Sequence, residues 1–93
     1  MPATVLFGCG TGLELYLSML DSSGISHIEC IVDNNPKVSE ICGIPVKNAS
    51  YLAQLTDKKI IITSRHYIDI FNQIVANGVA KEDIEVFNAL INW

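Results

Sequence analysis

The chain has 93 residues, a formal net charge of −4 at pH 7 and a hydrophobic content of 49%. This length predicts one domain with one core, and the apolar content excludes a disordered tail. The chain has only six Lys and Arg residues, which form no cluster, so it is not expected to bind nucleic acid.

No apolar run is longer than three residues, which is too short to cross a membrane. The Met1–Thr4 segment lacks the basic and apolar regions of a signal peptide, so we expect a cytoplasmic protein. The three cysteines and two histidines show no metal-binding spacing, which predicts neither a disulfide framework nor a metal site.

Short apolar runs alternate with helical patterns along the chain. The predicted strands are Thr4–Phe7, His27–Val32, Ile44–Val46, Lys59–Thr63 and Ile84–Phe87. The predicted helices are Leu13–Leu20, Ser50–Leu55 with Asn48 or Ser50 as its cap, and a helix from Ile68 to Asn77-Gly78.

Three details of these elements carry expectations of their own. Gly24 is placed as the left-handed residue that ends the first helix. Pro45 confines its strand to an edge of the sheet. Three consecutive isoleucines in Lys59–Thr63 indicate burial on both faces, so we predict that this strand is the central one.

Strands that alternate with helices imply right-handed crossovers and a parallel sheet covered on both faces. We therefore predict an α/β, Rossmann-like, three-layer α/β/α fold. Its mostly parallel sheet has about five strands in the order 3-2-1-4-5. Residues 1–93 form a single domain, which stands either alone or as a fragment of a larger enzyme.

The turn after the first strand has the pattern Gly8-x-Gly10-x-Gly12, and Asp33 ends the second strand. Glycines there let backbone N–H groups approach a phosphate at a helix N-terminus. A carboxylate at Asp33 is placed to accept hydrogen bonds from ribose hydroxyls. Alternatively, the glycine turn is a tight turn that binds no ligand, and Asp33–Pro36 serves only to form a turn.

The turn after the fourth strand, Ser64–His66, is predicted to lie across the same crevice. Arg65 can pair with a phosphate, and His66 can act as an acid or base. Alternatively, Ser64 caps the following helix, with Arg65 and His66 in its solvated first turn. The Cys9 thiol lies at a helix N-terminus, an environment that lowers a thiol pKa.

The chain resembles a Rossmann-like module of bacterial polysaccharide biosynthesis. The resemblance is carried by V-L-F-G-C-G-T-G from Val5, I-V-D-N-N-P-K from Ile31 and I-C-G-I-P-V from Ile41. Such modules precede hexapeptide-repeat sugar acyltransferases and nucleoside-diphosphate-sugar epimerases or dehydratases. The resemblance implies nucleotide-sugar binding, with the glycine turn near phosphate and the strand-end acid near the ribose.

A second resemblance is to S-adenosylmethionine-dependent methyltransferases. Gly8–Gly12 matches their commonest glycine motif, and Asp33 matches their ribose-binding acid. This resemblance implies S-adenosylmethionine as the ligand.

We predict a nucleotide or nucleotide-sugar binding module that is not catalytic alone, with a nucleotide-sugar, NAD(P) or S-adenosylmethionine as the ligand. The alternative is an interaction domain with a vestigial site. We expect a homo-oligomer or a part of a larger enzyme, and Trp93 is interpreted as a sign of truncation or docking. The predicted binding residues are Gly8, Cys9, Gly10, Thr11, Gly12, Asp33, Asn34, Ser64 and Arg65.

Overall fold

The computed structural model describes residues 3–87, so Trp93 lies outside the described residues. The strands are β1 (Ala3–Phe7), β2 (Ile28–Asp33), β3 (Glu40–Ile41), β4 (Ile44–Asn48), β5 (Lys58–Ile62) and β6 (Ile84–Val86). The α-helices are α1 (Thr11–Ser18), α2 (Ser22–Ser26) and α3 (Tyr67–Ala76), and two 3₁₀ helices span Ala49–Gln54 and Lys81–Asp83.

The strands form one sheet in the order β3-β4-β2-β1-β5-β6. Four neighbouring pairs are parallel, and β3 with β4 is antiparallel. The α/β prediction is confirmed, whereas the predicted strand order and parallel character match only in part. The five predicted strands keep their relative order, but β3 was missed because two residues carry no readable periodicity.

The hairpin from β3 to β4 corrects the placement of Pro45 at a sheet edge. Cys42 and Gly43 connect the two strands with φ angles of 52° and 79°, the left-handed conformation of tight hairpin turns. Pro45 faces Glu40 on β3, so β4 lies inside the sheet. The proline is accommodated because its opposite neighbour is a very short strand.

The predicted central position of Lys59–Thr63 is also wrong. The middle of the sheet is β1, which pairs with both β2 and β5, and β5 lies one strand from the edge. Ile60 and Ile62 are nevertheless fully buried. A run of isoleucines reports that both faces of a strand are covered, and it carries no information on its place in the sheet.

Each face of the sheet has its own core. Val5, Phe7, Ile60 and Ile62 pack on the face covered by α3 and the Ala49–Gln54 3₁₀ helix. On the opposite face, Leu6, Ile31 and Ile61 of the strands pack against Leu13 and Leu17 of α1. Burying each of these apolar side chains contributes about 1.5–3 kcal/mol, so the two cores fix the strand ends in place.

The helix boundaries show one further correction. Gly24 lies inside α2, and the Asp21 carboxylate accepts a hydrogen bond of 2.8 Å from its N–H. Asp21–Gly24 therefore begins a helix, whereas the sequence pattern was interpreted as the end of one. The Asn48 cap and the end of α3 at Gly78, with φ of 92°, are as predicted. Within residues 3–87, no helix has the length and apolarity needed to cross a bilayer.

Candidate functional site

The candidate site lies at the end of the sheet where the carboxyl ends of β1, β2 and β5 meet. The glycine turn follows β1, Asp33 is the last residue of β2, and Ser64–His66 follows β5. The Cys9 N–H donates a hydrogen bond of 2.9 Å to Asp33 Oδ2. The structure thus brings the glycine turn and the strand-end acid into direct contact.

The Asp33 carboxylate is half-buried and held by two backbone donors. Oδ2 accepts from Cys9, and Oδ1 accepts a hydrogen bond of 2.8 Å from the Asn35 N–H. The carboxylate has lone pairs beyond these bonds, so it can still accept a hydrogen bond from a ligand hydroxyl. The Cys9 N–H is already occupied and does not offer a hydrogen bond to a phosphate.

Gly8 is required for packing between two turns. Its φ is +119°, and a Cβ on it would lie 2.9 Å from the Ser64 Cβ. The Gly8 N–H donates to the Val32 carbonyl at 2.9 Å, and its own carbonyl accepts from the buried Thr63 hydroxyl at 3.0 Å. These contacts hold β1, β2 and β5 in register at the site. The role of Thr63 was not predicted from the sequence.

Gly10 forms the open side of the turn. It is exposed, its φ of −116° suits any residue, and a Cβ on it would meet nothing within 4 Å. Gly10 precedes α1, and the first N–H groups of the helix, at Thr11 and Gly12, have no partner within the helix. This end of α1 also carries partial positive charge, which favours an anion.

A cleft of about 420 Å³ opens between the glycine turn and the start of α3. Its described lining residues are Phe7, Gly8, Cys9, Gly10, Asp33, Asn34, Ser64, His66, Asp69, Ile70 and Gln73. Six predicted binding residues therefore line one cleft. Thr11, Gly12 and Arg65 are not among the described residues that line it, and Arg65 is exposed in the turn between β5 and α3.

The charge of the cleft was not predicted. Asp33 and Asp69 contribute two carboxylates to the lining, His66 contributes an imidazole, and the described lining includes no Lys or Arg. No sequence motif singles out Asp69, which lies in the first turn of α3 beyond the β5–α3 turn. The cleft thus has one carboxylate beside the start of α1, from Asp33, and a second from α3, from Asp69.

The surroundings of Cys9 raise the pKa of its thiol, the opposite of what a helix N-terminus alone would do. Burial of the thiol, the charge of Asp33 and a hydrogen bond with Asp33 raise the pKa of Cys9 to about 11. Burial and the adjacent carboxylate outweigh the field of α1, because both favour the neutral thiol. The Cys9 thiol is therefore protonated at neutral pH.

Asn34 and Gln73 form a reciprocal pair of side-chain amides. The Asn34 Nδ2 donates to Gln73 Oε1 at 3.0 Å, and the Gln73 Nε2 donates to Asn34 Oδ1 at 2.8 Å. This pair joins the loop after β2 to the middle of α3. Helical spacing from Asp69 places Gln73 on the cleft side of α3, but no sequence signal identifies Asn34 as its partner.

Ser64 and His66 occupy the start of α3. The Ser64 hydroxyl accepts a hydrogen bond of 3.1 Å from the His66 N–H within the turn. The alternative in which Ser64 caps the helix is wrong, because α3 begins at Tyr67, its N-cap is His66 and no side chain caps it. His66 is exposed and lines the cleft.

No protein-family model matches this chain, and no curated protein matches it in sequence at a significant level.

Proposed function

We propose that this domain binds a nucleotide in the cleft, with the ribose hydroxyls on the Asp33 carboxylate. The observation that carries the proposal is the hydrogen bond from Cys9 to Asp33, both of which line the cleft. It orients the carboxylate in advance and leaves lone pairs that can accept from ligand hydroxyls. Such preorganisation reduces the entropy that binding must offset.

The phosphates of the ligand lie on the Gly10 side of the turn. Gly10 leaves open space there, and the Thr11 and Gly12 N–H groups begin α1. Asp69 repels anions from the opposite side of the cleft. We infer a nucleotide-sugar as the ligand and a recognition role in polysaccharide biosynthesis, on the strength of the Asp-Asn-Asn-Pro and Gly-Ile-Pro-Val segments.

The acidic lining favours a second candidate ligand, S-adenosylmethionine. Its sulfonium carries a positive charge, which Asp69 would attract, and its ribose would use Asp33 in the same way. NAD(P) shares the ribose contact, and its pyrophosphate would need the α1 end of the site.

Thermal unfolding with a panel of ligands tests the proposal and separates the candidates. UDP-sugars, UDP, NAD and S-adenosylmethionine are each added to the purified domain. A ligand at about 100 times its dissociation constant stabilises the domain by about 2.7 kcal/mol. We expect the largest shift from a uridine diphosphate ligand. A shift with S-adenosylmethionine alone supports the second candidate, and no shift together with micromolar self-association supports an interaction domain.

Two variants locate the binding site. Gly10→Val fills the space left for phosphate, where a Cβ meets nothing within 4 Å, so binding falls at least tenfold while the unliganded domain loses about 1 kcal/mol for an apolar N-cap. Asp69→Asn removes the repelling charge and tightens binding of an anionic nucleotide, whereas it weakens binding of S-adenosylmethionine. Asp83→Asn is the matched control, because Asp83 is exposed in the Lys81–Asp83 3₁₀ helix. Unchanged binding in Gly10→Val would contradict the proposed site.

A further inference from the structure

A second cavity lies beside the cleft, between the Ala49–Gln54 3₁₀ helix and α3. It has a volume of about 310 Å³ and shares three lining residues with the cleft, namely Phe7, Asn34 and Gln73. We call it the amide groove, because four carboxamide side chains line it: Asn34, Asn48, Gln73 and Asn77. Small-molecule sites occupy about 300–1,000 Å³, so the groove has room for one ring system.

The chemistry of the amide groove differs from that of the cleft. Its apolar residues include the buried side chains of Phe7, Leu52 and Ile74. Its described lining contains no carboxylate and one cation, Lys58, which donates to the Leu55 carbonyl at 2.7 Å. An apolar wall with carboxamides around it suits a neutral, flat group that both donates and accepts hydrogen bonds.

The carboxamides of the groove keep hydrogen-bonding capacity. The Asn48 oxygen accepts from the Ser50 N–H at 2.9 Å, and the Asn48 nitrogen remains as a donor. Asn77 uses one N–H on the Gln73 carbonyl, and its side-chain oxygen remains as an acceptor. Adjacent donors and acceptors on a carboxamide pair with the matching edge of a nucleobase, as Asn and Gln do with adenine.

We propose that the amide groove binds the base of the nucleotide whose ribose is held at Asp33. The inference rests on the proposed function, since both sites would hold one ligand. Asn34 follows Asp33 directly and lines both cavities. The base is attached to the ribose carbon next to the 2′ carbon, so a ribose at Asp33 brings the base to the edge that the two cavities share.

The test compares ligands with and without a base on the ¹⁵N-labelled domain. Uridine 5′-monophosphate and adenosine 5′-monophosphate are titrated beside ribose 5-phosphate, with side-chain NH₂ and backbone N–H signals followed by NMR. We expect both nucleotides to shift the Asn48 and Asn77 NH₂ signals and the Gly10 backbone signal. Ribose 5-phosphate is expected to shift the Gly10 backbone signal and to leave the Asn48 and Asn77 NH₂ signals unchanged.

A charge-changing variant gives a second measurement. Asn48→Asp keeps a side-chain oxygen that caps the 3₁₀ helix, and it replaces the NH₂ donor with a carboxylate oxygen. Nucleotide binding falls about fivefold or more, as for one lost hydrogen bond, and ribose 5-phosphate binding is unchanged. Asn72→Asp makes the same charge change at an exposed position of α3 outside the described groove lining, and it leaves both affinities unchanged.

The outcomes separate the two proposals. Suppose that nucleotides bind, that the Asn48 and Asn77 signals do not shift, and that Asn48→Asp leaves their affinity unchanged. This result would overturn the base site and leave the proposed ribose site intact. Equal affinities for nucleotides and ribose 5-phosphate would do the same. If no ligand with a ribose shifts any signal, the proposed function fails and the base site fails with it.

Discussion

The carboxylate of Asp33 accepts a hydrogen bond of 2.9 Å from the N–H of Cys9, which lies 24 residues earlier in the chain. The bond joins the end of β2 to the turn after β1, the two strands that flank the candidate ligand path. A charged acceptor makes this hydrogen bond stronger than a neutral one. One carboxylate therefore serves two purposes, since it orders the turn and also faces the cleft.

Asp33→Ala is expected to weaken the fold as well as ligand binding. The substitution removes the acceptor of the Cys9 and Asn35 N–H groups, at a cost of about 2 kcal/mol. Urea unfolding measures the change, with Asp83→Ala as an exposed control. A loss below about 0.5 kcal/mol, within the usual range for surface substitutions, would show that the carboxylate does not order the turn.

Substitution by alanine is expected to destabilise the fold much more at Gly8 than at Gly10. Gly8→Ala forces a side chain into a φ of +119° and against the Ser64 Cβ, so it should cost more than about 2 kcal/mol. Gly10→Ala meets open space and changes only the residue before α1, at a cost of at most about 1 kcal/mol. Thermal unfolding of the two variants decides this, and equal losses would contradict the assigned roles.

The three thiols are expected to react in a defined order. Cys42 is exposed, whereas burial raises the pKa values of Cys9 and Cys30 to about 11. Alkylation with iodoacetamide at pH 8, followed by mass spectrometry, should modify Cys42 first. Cys9 modified as fast as Cys42 would refute the environment described for it.

The same two thiols predict how stability depends on alkaline pH. Their pKa values are raised above the reference value of 9.0, so the folded state favours the protonated thiols. Their contribution to stability is complete below pH 9 and is lost as the pH rises toward about 11. Urea midpoints between pH 8 and pH 11 measure the loss. Replacing Cys9 and Cys30 with Ala should reduce the slope in this window.

The Asn34–Gln73 pair is expected to show coupling in a double-mutant cycle. Asn34→Ala and Gln73→Ala each remove both hydrogen bonds of the exposed pair, so each should cost about 0.5–1 kcal/mol. The double variant should lose no more than one single variant loses, because the interaction is already absent. Additive losses in urea unfolding would mean that the two amides contribute independently.

The general layout could be predicted because parallel strands impose strong constraints. Alternating strands and helices imply right-handed crossovers, and the turns after β1, β2 and β5 then share one edge of the sheet. This constraint predicts Asp33 beside the glycine turn, as observed. It also predicts Ser64 near Gly8, because the turn after β5 is next to the turn after β1.

The details that could not be predicted depend on side chains far apart in sequence. The positive φ of the turn lies at Gly8, and the cause is the approach of Ser64 across the sheet. The partner of Asn34 is Gln73, 39 residues away, and the acidic lining needs Asp69 on a different element. Periodicity reports which face of an element is buried, whereas these contacts depend on how two faces meet.

The position of β1 also affects the order in which the chain can fold. Residues 3–7 pair with residues 28–32 on one side and with residues 58–62 on the other. During synthesis the middle strand therefore has one open side until more than fifty further residues have been made. Contacts of such sequence separation are formed late, because loop closure must precede them. A ribosome-bound chain that ends before residue 58 should thus be protease-sensitive, and protection should appear abruptly once β5 is exposed outside the ribosome.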